Sequence, residues 1–140
     1  MSRILRFIYI TFVVVRGYER LLVWVARFGF LIYPLYGIVS WFVASRKERI
    51  RKREALVEAI FSVLAASSVS FLIRRIWRRP RPFTRGKTAR IAHGDNASFP
   101  SNHTLNAVAA AFSLILSRQS GGHRLLGWAL LQGLSRVFAG

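Results

Sequence analysis

This chain of 140 residues has no cysteine, only five acidic residues and a single methionine. Without cysteine no disulfide framework and no thiolate metal site can form. With so few carboxylates the paired acids of ordinary acid–base chemistry and carboxylate-rich cation sites are also poorly served. Against those five acids stand 22 Lys and Arg, a formal charge of +17, in a chain that is 53% hydrophobic. Charge of that size on so apolar a chain must sit in short basic blocks between long apolar runs. That pattern suits a bilayer whose anionic head groups attract basic flanks. A nucleic-acid module also carries basic charge, but as a stripe on a soluble fold without long apolar spans, so no nucleic-acid partner is expected.

The apolar runs predict an all-α integral membrane bundle with about four spans. Residues 21–44 hold one charge, Arg27, and reach roughly 36 Å as a helix at about 1.5 Å per residue. Pro34 and Gly37 lie inside this run, and a bend is expected near Pro34, which a membrane helix tolerates when its freed backbone groups find partners. Residues 55–73 form a second span containing one acid, Glu58. Its small residues Ala65, Ala66, Ser67, Ser68 and Ser70 would let another helix approach closely. Thr104–Ser117 is uncharged but short, about 21 Å, and needs the preceding Pro-Ser-Asn-His turn to reach span length. Leu125–Gly140 is a fourth apolar run with Arg136 near its end, and an arginine at that depth points to function.

Residues 1–20 mix Arg3 and Arg6 with Ile4, Leu5, Phe7 and Ile8, and read as an interfacial amphipathic segment ahead of a membrane domain over 21–140. A secretory signal is disfavoured because no small-residue cleavage site precedes Arg16 and Gly17. The loop 45–54 holds six basic residues and the loop 74–103 holds eight Arg and Lys. If residues 55–73 cross once, the two cannot share a side. Arginines gathered for an anion are exempt from the topology bias, so the first loop is assigned to the cytoplasm and the second to the outer face.

Three short motifs stand between or within these runs, in order along the chain. They are Arg74 followed seven residues later by Arg81-Pro82, then Pro100-Ser101-Asn102-His103, then Ser135-Arg136. Planar guanidinium groups bind phosphate oxygens in pairs, and helix N-termini add backbone donors, so arginines with a polar turn opening a helix suit a phosphate. Each piece alone has a plainer reading. The Arg-rich loop can anchor head groups, His103 can cap a helix, and Arg136 can snorkel to the interface. Arg27 and Glu58 have no motif partner and read as interface or helix-pairing residues. Gly94-Asp95-Asn96 after His93 reads as a turn. Trp24, Trp41, Trp77 and Trp128 read as interface anchors or packing groups.

Taken together, the three motifs resemble the type 2 phosphatidic acid phosphatase superfamily, which also includes vanadium haloperoxidases. The resemblance extends over roughly residues 24–140. Arg79-Pro80-Arg81-Pro82-Phe83, Ser98-Phe99-Pro100-Ser101-Asn102-His103 and Ser135-Arg136-Val137-Phe138-Ala139-Gly140 look most like the undecaprenyl-pyrophosphate phosphatases of the bacitracin-resistance type. The resemblance implies phosphate binding by Arg74, Arg81, Ser101, Asn102 and Arg136, and general-acid work by His103. Asn102 replaces the more usual Gly, which keeps a backbone donor. No metal or other cofactor is implied.

In the family the nucleophile is a later His that forms a phospho-histidine, and it would fall two positions beyond Gly140. The sequence therefore ends before the expected nucleophile. The implied substrate is a lipid-linked phosphate, foremost undecaprenyl pyrophosphate cleaved to the monophosphate at the outer face of a bacterial inner membrane, with the bilayer as partner. The alternative is a truncated remnant or fragment that binds anionic lipid without turnover. A haloperoxidase fits poorly with four membrane-type spans.

Overall fold

Each apolar run becomes a helix in the computed structural model, which describes residues 17–77 and 99–139. The described residues contain no strand. Most of the expected interfacial segment, the Arg81 loop, His93 and Asp95 lie outside these residues. Helix α1 spans Gly17–Val43, α2 Arg49–Ile76, α3 Asn102–Leu116 and α4 Gly121–Ala139. Helices α1 and α2 are long and apolar enough to cross a membrane, at 27 and 28 residues. The chain folds as an integral membrane helical bundle.

Boundaries depart from expectation in three places. Helix α2 begins at Arg49, so most of the first basic loop is its opening turns. There Glu48 accepts from Lys52 at 2.9 Å and pairs with Arg51 at 3.7 Å, which tethers two of the cations. The hydrogen bond from Lys52 holds the Glu48 carboxyl below the usual carboxylate range, assisted by the charge of Lys52 itself. Helix α3 gains only Asn102 and His103 ahead of Thr104, because Ser101 is extended (φ −74°, ψ 109°), so the Pro-Ser turn does not lengthen it. At 15 residues α3 is about 22 Å long, shorter than the hydrocarbon core. The irregularity in α1 is a 3₁₀ turn at Gly29–Leu31, one turn before Pro34. Pro34 has no N–H to offer the carbonyl four residues back, and the chain tightens there so that Ile32 N–H reaches the Gly29 carbonyl.

Helix α3 packs antiparallel between α2 and α4. Its register on α2 is fixed by Ser67 Oγ donating to Asn106 Oδ1 at 3.0 Å and Ser117 Oγ donating to Glu58 at 2.6 Å. Small residues make the approach possible, as Ala55, Ala59 and Ser70 on α2 and Ala107 and Ala111 on α3 are all buried. The expected stripe on α2 is thus split, since Ser67 and Ser70 face the bundle while Ala65 and Ser68 are exposed. Glu58 proves to be a helix-pairing residue, and Arg27 lies exposed with its guanidinium 5.3 Å from the Phe28 ring.

The turn from α3 to α4 closes with a Schellman arrangement: Arg118 N–H reaches Ile115 O at 2.9 Å, and Gln119 N–H reaches Leu114 O at 2.8 Å. Arg118 has the left-handed φ of 55° that this motif needs. Gly122 follows, where a Cβ would stand 2.7 Å from the backbone nitrogen of Ile115.

Helix α1 runs antiparallel to α4. Arg136 Nη1 donates to Ala26 O at 3.1 Å, Trp128 Nε1 to Gly29 O at 2.8 Å and Tyr33 Oη to Leu125 O at 3.2 Å. The apolar core lies at the end where α1 meets α2 and α3 meets α4. It is built from Ala55, Leu56, Ala59, Ala111, Leu114 and Leu125, with Tyr33, Tyr36 and Trp41 against it.

Candidate phosphate site

Topology decides which motif side chains share an end of the bundle. Arg74 lies in the last turn of α2, Ser101 precedes α3, Asn102 and His103 open it, and Arg136 lies in the last turn of α4. Because α3 is antiparallel to both neighbours, all five residues fall at the end away from the apolar core. The remaining phosphate-binding candidate, Arg81, lies outside the described residues.

The motif side chains at that end are cationic or neutral. A helix C-terminus carries partial negative charge that a cation offsets, and this accounts for Arg74 and Arg136 where α2 and α4 finish. The N-terminus of α3 carries partial positive charge and unpaired backbone donors. Ser101 makes no side-chain cap bond to them. Its hydroxyl instead accepts from Thr104 Oγ1 at 3.1 Å. Two guanidinium groups and an uncapped helix start therefore collect at one end of the bundle, an arrangement suited to an anion with several oxygens.

His103 is exposed on one side and stacked on the other, its ring 5.2 Å from that of Phe30 at an interplanar angle of 13°. Face-to-face contact engages the ring face, so Phe30 itself does not cover the edge that carries the two nitrogens. Around these groups polar residues are buried beside apolar ones such as Val25 and Ala26. Ser70, Gln132 and Ser135 are each 0% exposed. Ser135 Oγ donates to Gln132 O at 2.8 Å, whereas Ser70 Oγ and both amide atoms of the Gln132 side chain have no hydrogen-bond partner among the described residues. Among the described residues no three His, Cys, Asp or Glu side chains come together as a cation site.

Sequence reasoning singled out the motif residues but passed over Phe30, Thr104, Gln132 and the packing role of Gly29. An uncharged amide in the apolar run of α4 is a signal that a search for isolated polar residues would have found. Phe30 gives no such signal, because it is one aromatic in an aromatic-rich helix and meets His103 only through the tertiary fold.

The PAP2 superfamily model matches residues 55–140, and the chain belongs to that superfamily. Among curated proteins it is similar to the undecaprenyl-diphosphatase BcrC of Bacillus subtilis (strain 168). The two are 26% identical over 123 residues, covering 87% of this chain and 62% of that protein. The chain thus spans under two thirds of the relative's length. No solved structure matches it.

Proposed function

We propose that this chain carries the phosphate-binding part of a membrane lipid phosphatase, which removes the terminal phosphate of undecaprenyl pyrophosphate to leave the monophosphate. The single observation that supports this best is the gathering of Arg74, Ser101, Asn102, His103 and Arg136 at one end of the bundle, in a chain of the PAP2 superfamily. In this reading Arg74, Arg81 and Arg136 hold the anionic oxygens, and Ser101 with the Asn102 amide donates hydrogen bonds to them. His103 protonates the leaving lipid phosphate as a general acid, and the phosphoryl group passes to a histidine following the third motif. No metal enters the scheme.

The membrane domain is residues 21–140 in this reading, with 1–20 on the membrane surface, and the enzyme is a multi-pass protein of a bacterial inner membrane. The basic loop at the start of α2 and the turn at Arg118 occupy the end opposite the motif residues. Assigning them to the cytoplasm by the positive-inside rule turns the site outward.

The test is phosphate release from undecaprenyl pyrophosphate by the protein isolated from its native membranes, reconstituted and assayed in the presence of a chelator. Release is expected, and His103→Ala should slow it by about 10²- to 10⁴-fold. Phosphatidate and phosphatidylglycerophosphate, offered in parallel, test the choice of lipid. Lipid binding without release would instead establish a non-catalytic anionic-lipid binder, and equal rates for wild type and His103→Ala would overturn the role of His103.

A further inference from the structure

Helix α1 lies outside the segment matched by the superfamily model, residues 55–140, yet it meets the candidate site directly. Phe30 covers one face of His103 with its ring 5.2 Å away and nearly parallel, at 13°. Phe30 sits in the 3₁₀ turn Gly29–Leu31, and that turn is gripped from α4. Trp128 Nε1 donates to the Gly29 carbonyl at 2.8 Å. A Cβ on Gly29 would stand 3.5 Å from the same indole nitrogen and 3.6 Å from the Gln132 amide carbon, so the α1 backbone lies close against α4. One turn further along α4, Arg136 donates to Ala26 O at 3.1 Å. Trp128, Gln132 and Arg136 are spaced by four residues, which puts them on one face of α4; Trp128 and Arg136 bond to Gly29 and Ala26, and Gln132 lies beside Gly29.

We propose that Phe30 is a positioning residue for His103, held at the required height by the Trp128 bond to Gly29. The inference rests on the phosphatase reading above. A general acid must aim one ring N–H at the leaving oxygen, and a histidine on the first turn of a helix can otherwise sweep a wide arc about its side-chain torsions. An aromatic face laid flat on the imidazole restricts that sweep without covering either nitrogen. It also accepts both the neutral ring and the imidazolium, which an aromatic face attracts. Misplacing a reacting group by about 1 Å can cost about 100-fold in rate, so a loosened His103 should show mainly in kcat.

The experiment pairs two readouts on the full protein in nanodiscs. Proton NMR of the His103 ring, assigned by its loss in His103→Gln, reports the stack through the upfield shift that an overlying aromatic face induces. Phosphate release from undecaprenyl pyrophosphate reports the consequence. Phe30→Leu should abolish the upfield shift and lower kcat by about tenfold or more with KM nearly unchanged, and Phe30→Tyr should restore both. Trp128→Phe keeps an aromatic ring but removes the donor to Gly29, and should weaken both readouts in the same direction.

A wild-type His103 without the upfield shift, or a Phe30→Leu variant that loses the shift and keeps its kcat, would overturn the proposal. Absence of turnover in wild type with the shift intact would instead sink the phosphatase reading and the role with it, leaving the stack as a packing contact only.

Discussion

The two ends of this bundle differ in how their buried polar residues are satisfied. At the end where α1 turns into α2, the core cluster is Ala55, Leu56, Ala59, Ala111, Leu114 and Leu125, and of the buried polar residues there Gln119 is hydrogen-bonded to Ser117 O. At the other end Ser70, Gln132 and Ser135 are fully buried beside Val25 and Ala26, and two of the three carry polar atoms without hydrogen-bond partners among the described residues. Lipid tails supply no hydrophobic drive between helices, so association depends on close packing. The apolar end provides that packing through alanines opposed across α2 and α3. An unpaired polar atom in such a setting is a liability of about 1–3 kcal/mol. The same helices are thus joined tightly at one end and hold costly polar groups at the other, where the motif residues collect.

The sharpest way to break this comparison is to overfill the packed end. Ala111 is 0% exposed, and a leucine there would force α2 and α3 apart. Ala111→Leu should destabilise the bundle by about 1–3 kcal/mol, read as earlier unfolding in a denaturing-detergent titration. Unchanged stability would mean that the α2–α3 contact is looser than the buried alanines require.

At the polar end the expected sign reverses. Gln132→Met keeps the length of the side chain while removing both unpaired amide atoms. It should stabilise the bundle by about 1 kcal/mol in the same titration, because a buried polar group without a partner is replaced by an apolar one of similar shape. A loss of stability would mean that the Gln132 amide is paired in the membrane. Opposite signs for Ala111→Leu and Gln132→Met would establish that the two ends have different physical roles.

Much of this organisation was legible in the sequence. Apolar run length gave the helices, since the bilayer thickness fixes how long a span must be, and the ordered motifs singled out Arg74, Ser101, Asn102, His103 and Arg136 as candidates. Antiparallel packing of consecutive helices then brings those residues to one end without further information. Boundaries were less legible where charge and helix coexist. Arg49–Arg53 reads as a loop by composition, but arginine and lysine are good helix formers, and the helix simply begins inside the basic block. The Pro100-Ser101 turn failed to extend α3 because Ser101 is extended, a backbone choice that run length does not encode. Least legible was the part played by α1, whose contacts with α4 join residues about 100 positions apart, such as Gly29 with Trp128 and Ala26 with Arg136.

An effect no larger than that of Gln132→Met belongs to the turn that closes the packed end. Arg118 takes the left-handed conformation at φ 55°, where the Schellman bonds to Ile115 and Leu114 require it. An L-residue with a Cβ costs about 1–2 kcal/mol in that region, which glycine avoids at the expense of greater freedom when unfolded. Replacing Arg118 also removes a cation from the end of α3, where the helix dipole favours positive charge by about 0.3–1 kcal/mol. The effect of either substitution against wild type therefore mixes two terms of similar size. A comparison of Arg118→Gly with Arg118→Ala separates them, since both lose the charge and only glycine relieves the backbone. Arg118→Gly should be the more stable of the pair by about 1 kcal/mol, and neither should alter the His103 resonances at the far end of the bundle. Equal stabilities would mean that the turn does not hold residue 118 at positive φ, and a shift in the His103 signals would mean that the two ends are mechanically coupled through α3.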